Sequence, residues 1–347
     1  MAKKNKNEER INYKQTLAEL RSKGPERLYL LWGEEDYLTD SFAGELKKAC
    51  VGEEADSFSY RRINERDYTP EGLADAIDSV PFLSERSFVE LRGIDLNRLR
   101  DREAEELLRA VKDIPDYCTV AFVQSAQFEP DKRLKLVKTL LSSAKELHFT
   151  AQSGDALINW IVRRFSAEGK RIELEAAQRL ISVSGELMNR LIPEIAKVAA
   201  FASGEIVTVR DVEAVAHHIP EAVIFDMTDR LAEGRTDAAF ELLAELLADK
   251  DNEPIQMLAV LGAQMRKLYG ARMAIESGQG KDYVMKNCGV RFDSVASRLI
   301  ATARRFSTAR LAAAVELCAD TDHMMKSSGI DSAELLKDCV LRIAAGE

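Results

Sequence analysis

Between Arg27 and Phe149, short apolar runs alternate with stretches whose apolar residues recur every three or four positions. The runs are Leu28–Trp32, Phe58–Ile63, Ser87–Leu91, Thr119–Gln124 and Glu146–Phe149. Between them lie Leu38/Phe42/Leu46/Ala49, Leu73/Ile77/Val80 and Leu134/Val137/Leu140, the spacing of one helix face. Strands separated by helices predict parallel crossovers and a sheet covered on both faces. After Phe149 the pattern predicts helices only: one from Ser153/Asp155 to Gly169, then Glu173–Val183, Leu187–Ala202 and Val209–Ala216, with Thr208 as a cap. Beyond Pro220 the expected helices are Ile224–Ala232, Thr236–Ala248, Pro254–Glu276, Phe292–Phe306, Thr308–Lys326 and Asp331–Ala345. Pro254 suits a first turn, and Leu258/Leu261/Met265/Leu268 form the apolar stripe of its helix. The chain thus divides into an α/β segment (1–150), a small helical segment (151–219) and a larger all-α segment (220–347).

Arg27–Asp40, RLYLLWGEEDYLTD, has the local plan of a phosphate-binding loop: strand, glycine turn, helix N-terminus. That loop needs a second glycine, a lysine and a hydroxyl at the fifth, sixth and seventh residues after Gly33, where this chain has Leu38, Thr39 and Asp40. Without the small residue the backbone cannot wrap phosphates, and without lysine nothing neutralises them. Glu34, Glu35, Asp36 and Asp40 add negative charge instead. An ATPase also needs a metal-side acid at the end of a second core strand. The expected strand ends Glu90-Leu91-Arg92-Gly93, with Arg92 at that place. A nucleotide-binding fold that binds no nucleotide is the expectation, with no cofactor.

Composition narrows the alternatives. Apolar residues make up 46% and charged residues 31% of 347, ordinary for a globular protein. No run of roughly 18 apolar residues suggests a membrane span, and the basic N-terminus has no apolar signal core, so a cytoplasmic chain without membrane contact is expected. The five cysteines are far apart and form no CxxC pair, so neither disulfides nor zinc are indicated. Neither GxSxG, HExxH nor GxGxxG occurs. His217-His218 reads as a polar helix end, because adjacent helical residues point apart. A net charge of -9 excludes a generally basic nucleic-acid binder.

Two stretches remain. Asp78–Arg86, DSVPFLSER, brings four consecutive apolar residues to a helix end. Phe82 and Leu83 either fold back into the core or stand out as an anchor for a partner. Pro254–Arg310 holds ten Lys/Arg against three acids, a net of +7, with Tyr269, Tyr283, Phe292 and Phe306 interleaved. It reads as a solvated face or a contact with another protein chain, or as a surface for nucleic-acid backbone through Arg266, Lys267, Arg272, Arg304 and Arg305.

LYLLWGEEDYLTD, VPFLSERSFVELRG, LIPEIAKVAAFASGEIVTVRDVEAV, VIFDMTDRLAEGRTDAAFELLAELL and ELCADTDHMMKSSGIDSAELLKDCVLRI, in this order, resemble the bacterial DNA polymerase III delta-subunit family. The resemblance implies an AAA+-like fold: a RecA-type parallel-sheet domain, a helical lid and a C-terminal helical collar. It implies a non-catalytic clamp-loader subunit in DNA replication, part of a polymerase complex. Its implied partners are the beta sliding clamp, gamma/tau- and delta-prime-type subunits in a heteropentamer, and primed DNA through that complex. The family's clamp-contacting pair falls on Pro81 and Phe82. Pro81 stands where a bulky aliphatic residue is more usual, which brings Leu83 forward to share that role. The alternatives are an active P-loop ATPase with an atypical loop and a general helical scaffold.

Overall fold

The computed structural model describes residues 13–53, 59–81, 84–152, 154–249, 251–290 and 292–346. Phe82 and Leu83 lie outside the described residues. The chain forms two compact units, one of residues 1–152 with Leu187–Asn189, the other of residues 153–186 and 190–347.

The first unit runs α1 (Tyr13–Lys23), β1 (Leu28–Trp32), α2 (Asp36–Val51), β2 (Tyr60–Asn64), α3 (Pro70–Asp78), β3 (Ser87–Arg92), α4 (Asp101–Ala110), β4 (Cys118–Val123), α5 (Lys135–Ser143) and β5 (Lys145–His148). The five strands form one parallel sheet in the order β2-β3-β4-β1-β5. Helices cover both faces, so the central strands need apolar residues on both sides; all six residues of β4, CTVAFV, are buried. Alternation still sorts them. Leu28 and Leu30 join Val89, Leu91, Val120 and Phe122 in one core with Leu73 of α3, Leu107 of α4 and Val137 and Leu140 of α5. Tyr29, between them, turns to the other face and meets Phe42 of α2, which also packs on Phe149 and Tyr13. Each fully buried Leu or Phe contributes roughly 1.5–3 kcal/mol.

Differences from the expected elements have physical causes. Helix α1 leaves little mark in the pattern because it buries a single leucine, Leu20, while the apolar face of α4, Ala104, Leu107, Leu108 and the following Val111, is short and set among charged residues. Strand β3 reaches Arg92, one residue beyond the apolar run, because Arg92 still pairs in register with Val123.

The second unit contains α6 (Asp155–Ala167), β6 (Arg171–Ile172), α7 (Leu174–Ser184), α8 (Met188–Phe201, whose first two residues count with the first unit), β7 (Ile206–Val207) and α9 (Val209–Val215). The expectation that strands end at Phe149 is corrected here. β6 and β7 pair in parallel, Arg171 with Ile206 and Ile172 with Val207. Two residues are too few to display alternation. Thr208 caps α9 through a reciprocal box with Asp211. Helices α10 (Pro220–Ala232), α11 (Thr236–Ala248), α12 (Pro254–Glu276), α13 (Lys281–Asn287), α14 (Asp293–Ala303), α15 (Thr308–Ser327) and α16 (Ser332–Ala345) follow. α12 is the spine of their core. Leu258, Leu261, Met265 and Leu268 are buried as the stripe predicts, against Leu311, Leu317 and Cys318 of α15 and Leu336, Cys339 and Val340 of α16. α14 stops at Ala303, and Phe292 precedes its first turn, so it is shorter than the expected Phe292–Phe306.

Candidate functional site

The carboxyl ends of parallel strands are where an open α/β sheet usually holds its ligand. Here the ends of β1 and β3 carry Gly33 and Arg92. Gly33 has φ +132°, and a Cβ on it would overlap the Phe149 carbonyl, so only glycine fits this turn. The Glu35 N–H donates to that same carbonyl at 3.1 Å. The turn is therefore closed onto the end of β5 within three residues, and α2 begins at Asp36.

This early helix start decides what the loop can hold. Leu38 and Thr39 are already helical and buried. The Thr39 hydroxyl donates to the Glu35 carbonyl at 3.2 Å, one turn back along its own helix. Asp40 receives the guanidinium of Arg92, reaching from the end of β3. Arg92 also holds Glu90, which is 4% exposed and accepts a further hydrogen bond from the Tyr60 hydroxyl at 2.5 Å. A buried carboxylate requires such partners. Burial opposes the Arg92 charge, but Asp40 and Glu90 outweigh it and push its pKa up. The two positions that hold the metal in a nucleotide site, the seventh residue after Gly33 and the end of β3, are joined by an ion pair. The residues present do not fit a nucleoside triphosphate. They include no lysine between Gly33 and Asp40, and the arginine is engaged by Asp40 and Glu90.

Sequence reasoning missed Glu35. Its side chain is fully buried. One carboxyl oxygen accepts from the Met188 backbone N–H at 3.2 Å, within the same unit, and the other has no hydrogen-bond partner. Burial pushes its pKa up to about 7, with Asp36 and Glu34 adding to the effect against the hydrogen bonds it accepts. An acid at a tight glycine turn is the available signal; the sequence shows it only as negative charge where phosphate would sit.

Of the positions expected to contact a clamp, Pro81 is half-buried just beyond α3, and Val80 before it is 68% exposed. α3 itself is fixed by the Thr69 hydroxyl, which accepts the Gly72 N–H at 3.0 Å, by Pro70 in its first turn, and by buried Leu73 and Ile77. In the basic stretch, Arg272 pairs with Glu276 at 2.9 Å and Arg305 with Glu233 at 3.0 Å. Arg266, Lys267 and Arg304 have no ion-pair partner among the described residues. His218 lies 3.8 Å from Glu213, and among the described residues no cluster of three potential metal ligands occurs. No helix is long and apolar enough to cross a membrane among them.

A five-stranded parallel sheet in this order with helices on both faces, followed by a second unit of helices with one short strand pair, makes an α/β plus largely α architecture. A Bacillus subtilis DNA clamp loader delta protein shares it with a TM-score of 0.52 at 21% identity, over 96% of this chain and 99% of that one. Two family models match the sequence: DNA polymerase III, delta subunit, over residues 29–150, and the C-terminal domain of the DNA polymerase III delta subunit over residues 221–343. DNA polymerase III subunit delta of Bacillus subtilis is 25% identical over 324 residues, 91% of this chain and 92% of the relative. A probable DNA polymerase III subunit delta of Aquifex aeolicus is 23% identical over 77% of this chain and 76% of the relative. The chain belongs to the DNA polymerase III delta-subunit family.

Proposed function

We propose that this chain is a non-catalytic clamp-loader subunit that binds the beta sliding clamp and stabilises its opened ring for loading onto primed DNA. The observation that carries the reading is the nucleotide site closed by its own ion pair, Arg92 to Asp40, in a chain of this family. A subunit so built leaves hydrolysis to partner subunits, in a heteropentamer with gamma/tau- and delta-prime-type chains. Its own contribution is then contact.

That contact falls to Pro81, Phe82 and Leu83. Exposed Val80 supports this reading, because the chain leaves α3 with an apolar side chain already facing solvent. In this scheme residues 151–219 act as a lid and residues 220–347 as the collar. The basic stretch, with Arg266, Lys267, Arg272, Arg304 and Arg305, serves contact to DNA or a neighbouring subunit.

Co-purification with the clamp and partner subunits, with and without ATP, tests the assignment. Phe82→Ala should weaken clamp binding by about 2 kcal/mol, roughly thirtyfold; unchanged affinity removes Phe82 as the anchor. The ATPase reading is checked by equilibrium binding of a fluorescent ATP analogue to the isolated chain. Micromolar binding lost on Thr39→Ala would revive it.

A further inference from the structure

One face of α12 borders a groove at the surface. Arg266, Gly270, Met273, Ala274 and Ser277 follow one another at helical spacing, and with Tyr283 and Cys288 from α13 and its end they line a groove of about 650 Å³. That is the size of a ligand cleft rather than a packing gap. Gly270 makes the floor. A Cβ there would come within 3.3 Å of the Cys288 sulfur, so the missing side chain lets α13 approach and leaves a shallow apolar trough.

Two kinds of side chain face this groove unsatisfied. Met273 and Tyr283, both in its lining, are 40% and 47% exposed. Arg266 and Lys267, which also line it, have no carboxylate within ion-pair distance among the described residues. Their neighbours differ: Arg272 is held by Glu276, Lys281 by Asp293, and Arg298 by Asp226 and Asp229.

We propose that this groove docks a short protein segment carrying a carboxylate beside a large apolar side chain. The apolar side chain would lie on Gly270 and Ala274 between Met273 and Tyr283, and the carboxylate would meet Arg266 and Lys267. Complementarity of charge selects the acid, and the apolar floor selects a side chain over a phosphate. A single strand of nucleic acid is the poorer occupant. Its backbone needs a row of cations and several stacking rings, whereas the groove has two adjacent cations and one ring. The inference names an occupant for the Arg266–Lys267 part of the basic stretch and does not depend on clamp binding through Phe82.

The full chain, labelled with ¹³C-methyl methionine, is titrated with the peptide acetyl-Asp-Glu-Leu-Trp-amide. Parallel titrations use acetyl-Lys-Lys-Leu-Trp-amide and a ten-nucleotide oligothymidylate. The acidic peptide should shift the Met273 methyl signal saturably below about 1 mM, while buried Met257 stays unmoved. The basic peptide should bind at least tenfold more weakly. Arg266→Glu with Lys267→Glu should reverse that preference with an unchanged circular dichroism spectrum. No saturable shift with the acidic peptide, or tighter binding of the oligothymidylate at the same methyl, overturns the proposal. Phe82→Ala should leave these titrations unchanged, and the charge-reversed variant should still co-purify with the clamp, so either reading can fail alone.

Discussion

The end of β3 in the first unit and the face of α12 in the second both carry charge, and they handle it in opposite ways. Arg92, Asp40, Glu90 and Tyr60 satisfy one another, and the site they occupy is closed by its own side chains. Arg266 and Lys267 satisfy nothing among the described residues and border a groove. Charge saturated internally holds a fold together, whereas charge left unpaired beside exposed apolar surface is available to a partner. A basic residue count cannot tell the two apart, because Arg92 and Arg266 look alike until their neighbours are placed.

The contrast can be broken by substitution, and the largest effect should come at the closed site. Gly33→Ala forces a Cβ onto the Phe149 carbonyl and requires φ +132° of a residue that avoids it. Urea unfolding should show a loss of more than about 3 kcal/mol. A loss under about 1 kcal/mol would mean the turn is not held as described.

Arg92→Leu comes next. It strands the buried Glu90 carboxylate and should cost about 2–3 kcal/mol. Adding Glu90→Gln should recover about half of that, because a neutral amide tolerates burial better. If Arg92→Leu is neutral, the ion pair is ornamental and the contrast collapses.

Glu35 gives a pH-dependent test. Its folded pKa, about 7, lies above the ordinary carboxylate value of 4.5. The folded chain therefore holds a proton that the unfolded chain releases between about pH 4.5 and 7. Stability from this group is fully present below that window and is lost as pH rises through it. The loss is on the order of 2–3 kcal/mol. Glu35→Gln should flatten that decline in thermal unfolding measured from about pH 5 to 8. An equally steep decline would assign the slope to other groups.

The smallest effect is expected at the open site. Arg266→Ala with Lys267→Ala should change unfolding free energy by less than about 0.5 kcal/mol. A larger loss would show that these cations are structural after all, like Arg92.

Much of the fold was legible because burial on both faces leaves a strong trace. Runs such as LYLLW and CTVAF admit little else than strands inside an α/β sheet, and the α12 stripe from Leu258 to Leu268 marked the core of the second unit. Elements with little buried surface left no trace: α1 with Leu20 alone, α13 with Val284 alone, and the two-residue strands β6 and β7. Of the candidate site, the absent phosphate-loop residues were visible from spacing. What replaces them was not.

The order of amino acids is enough to set the alternation of elements, the glycine at position 33, the lack of a phosphate-binding lysine and the basic character of Pro254–Arg310. Each of these is local, fixed by side-chain periodicity or by which residue stands at which offset. Packing was needed to bring Arg92 to Asp40, 52 positions away, to seal in Glu35, and to leave Arg266 free while Arg298 is held. The reason is geometric. A charge acts over a few ångströms, and only the order and register of the packed elements set which charges come that close.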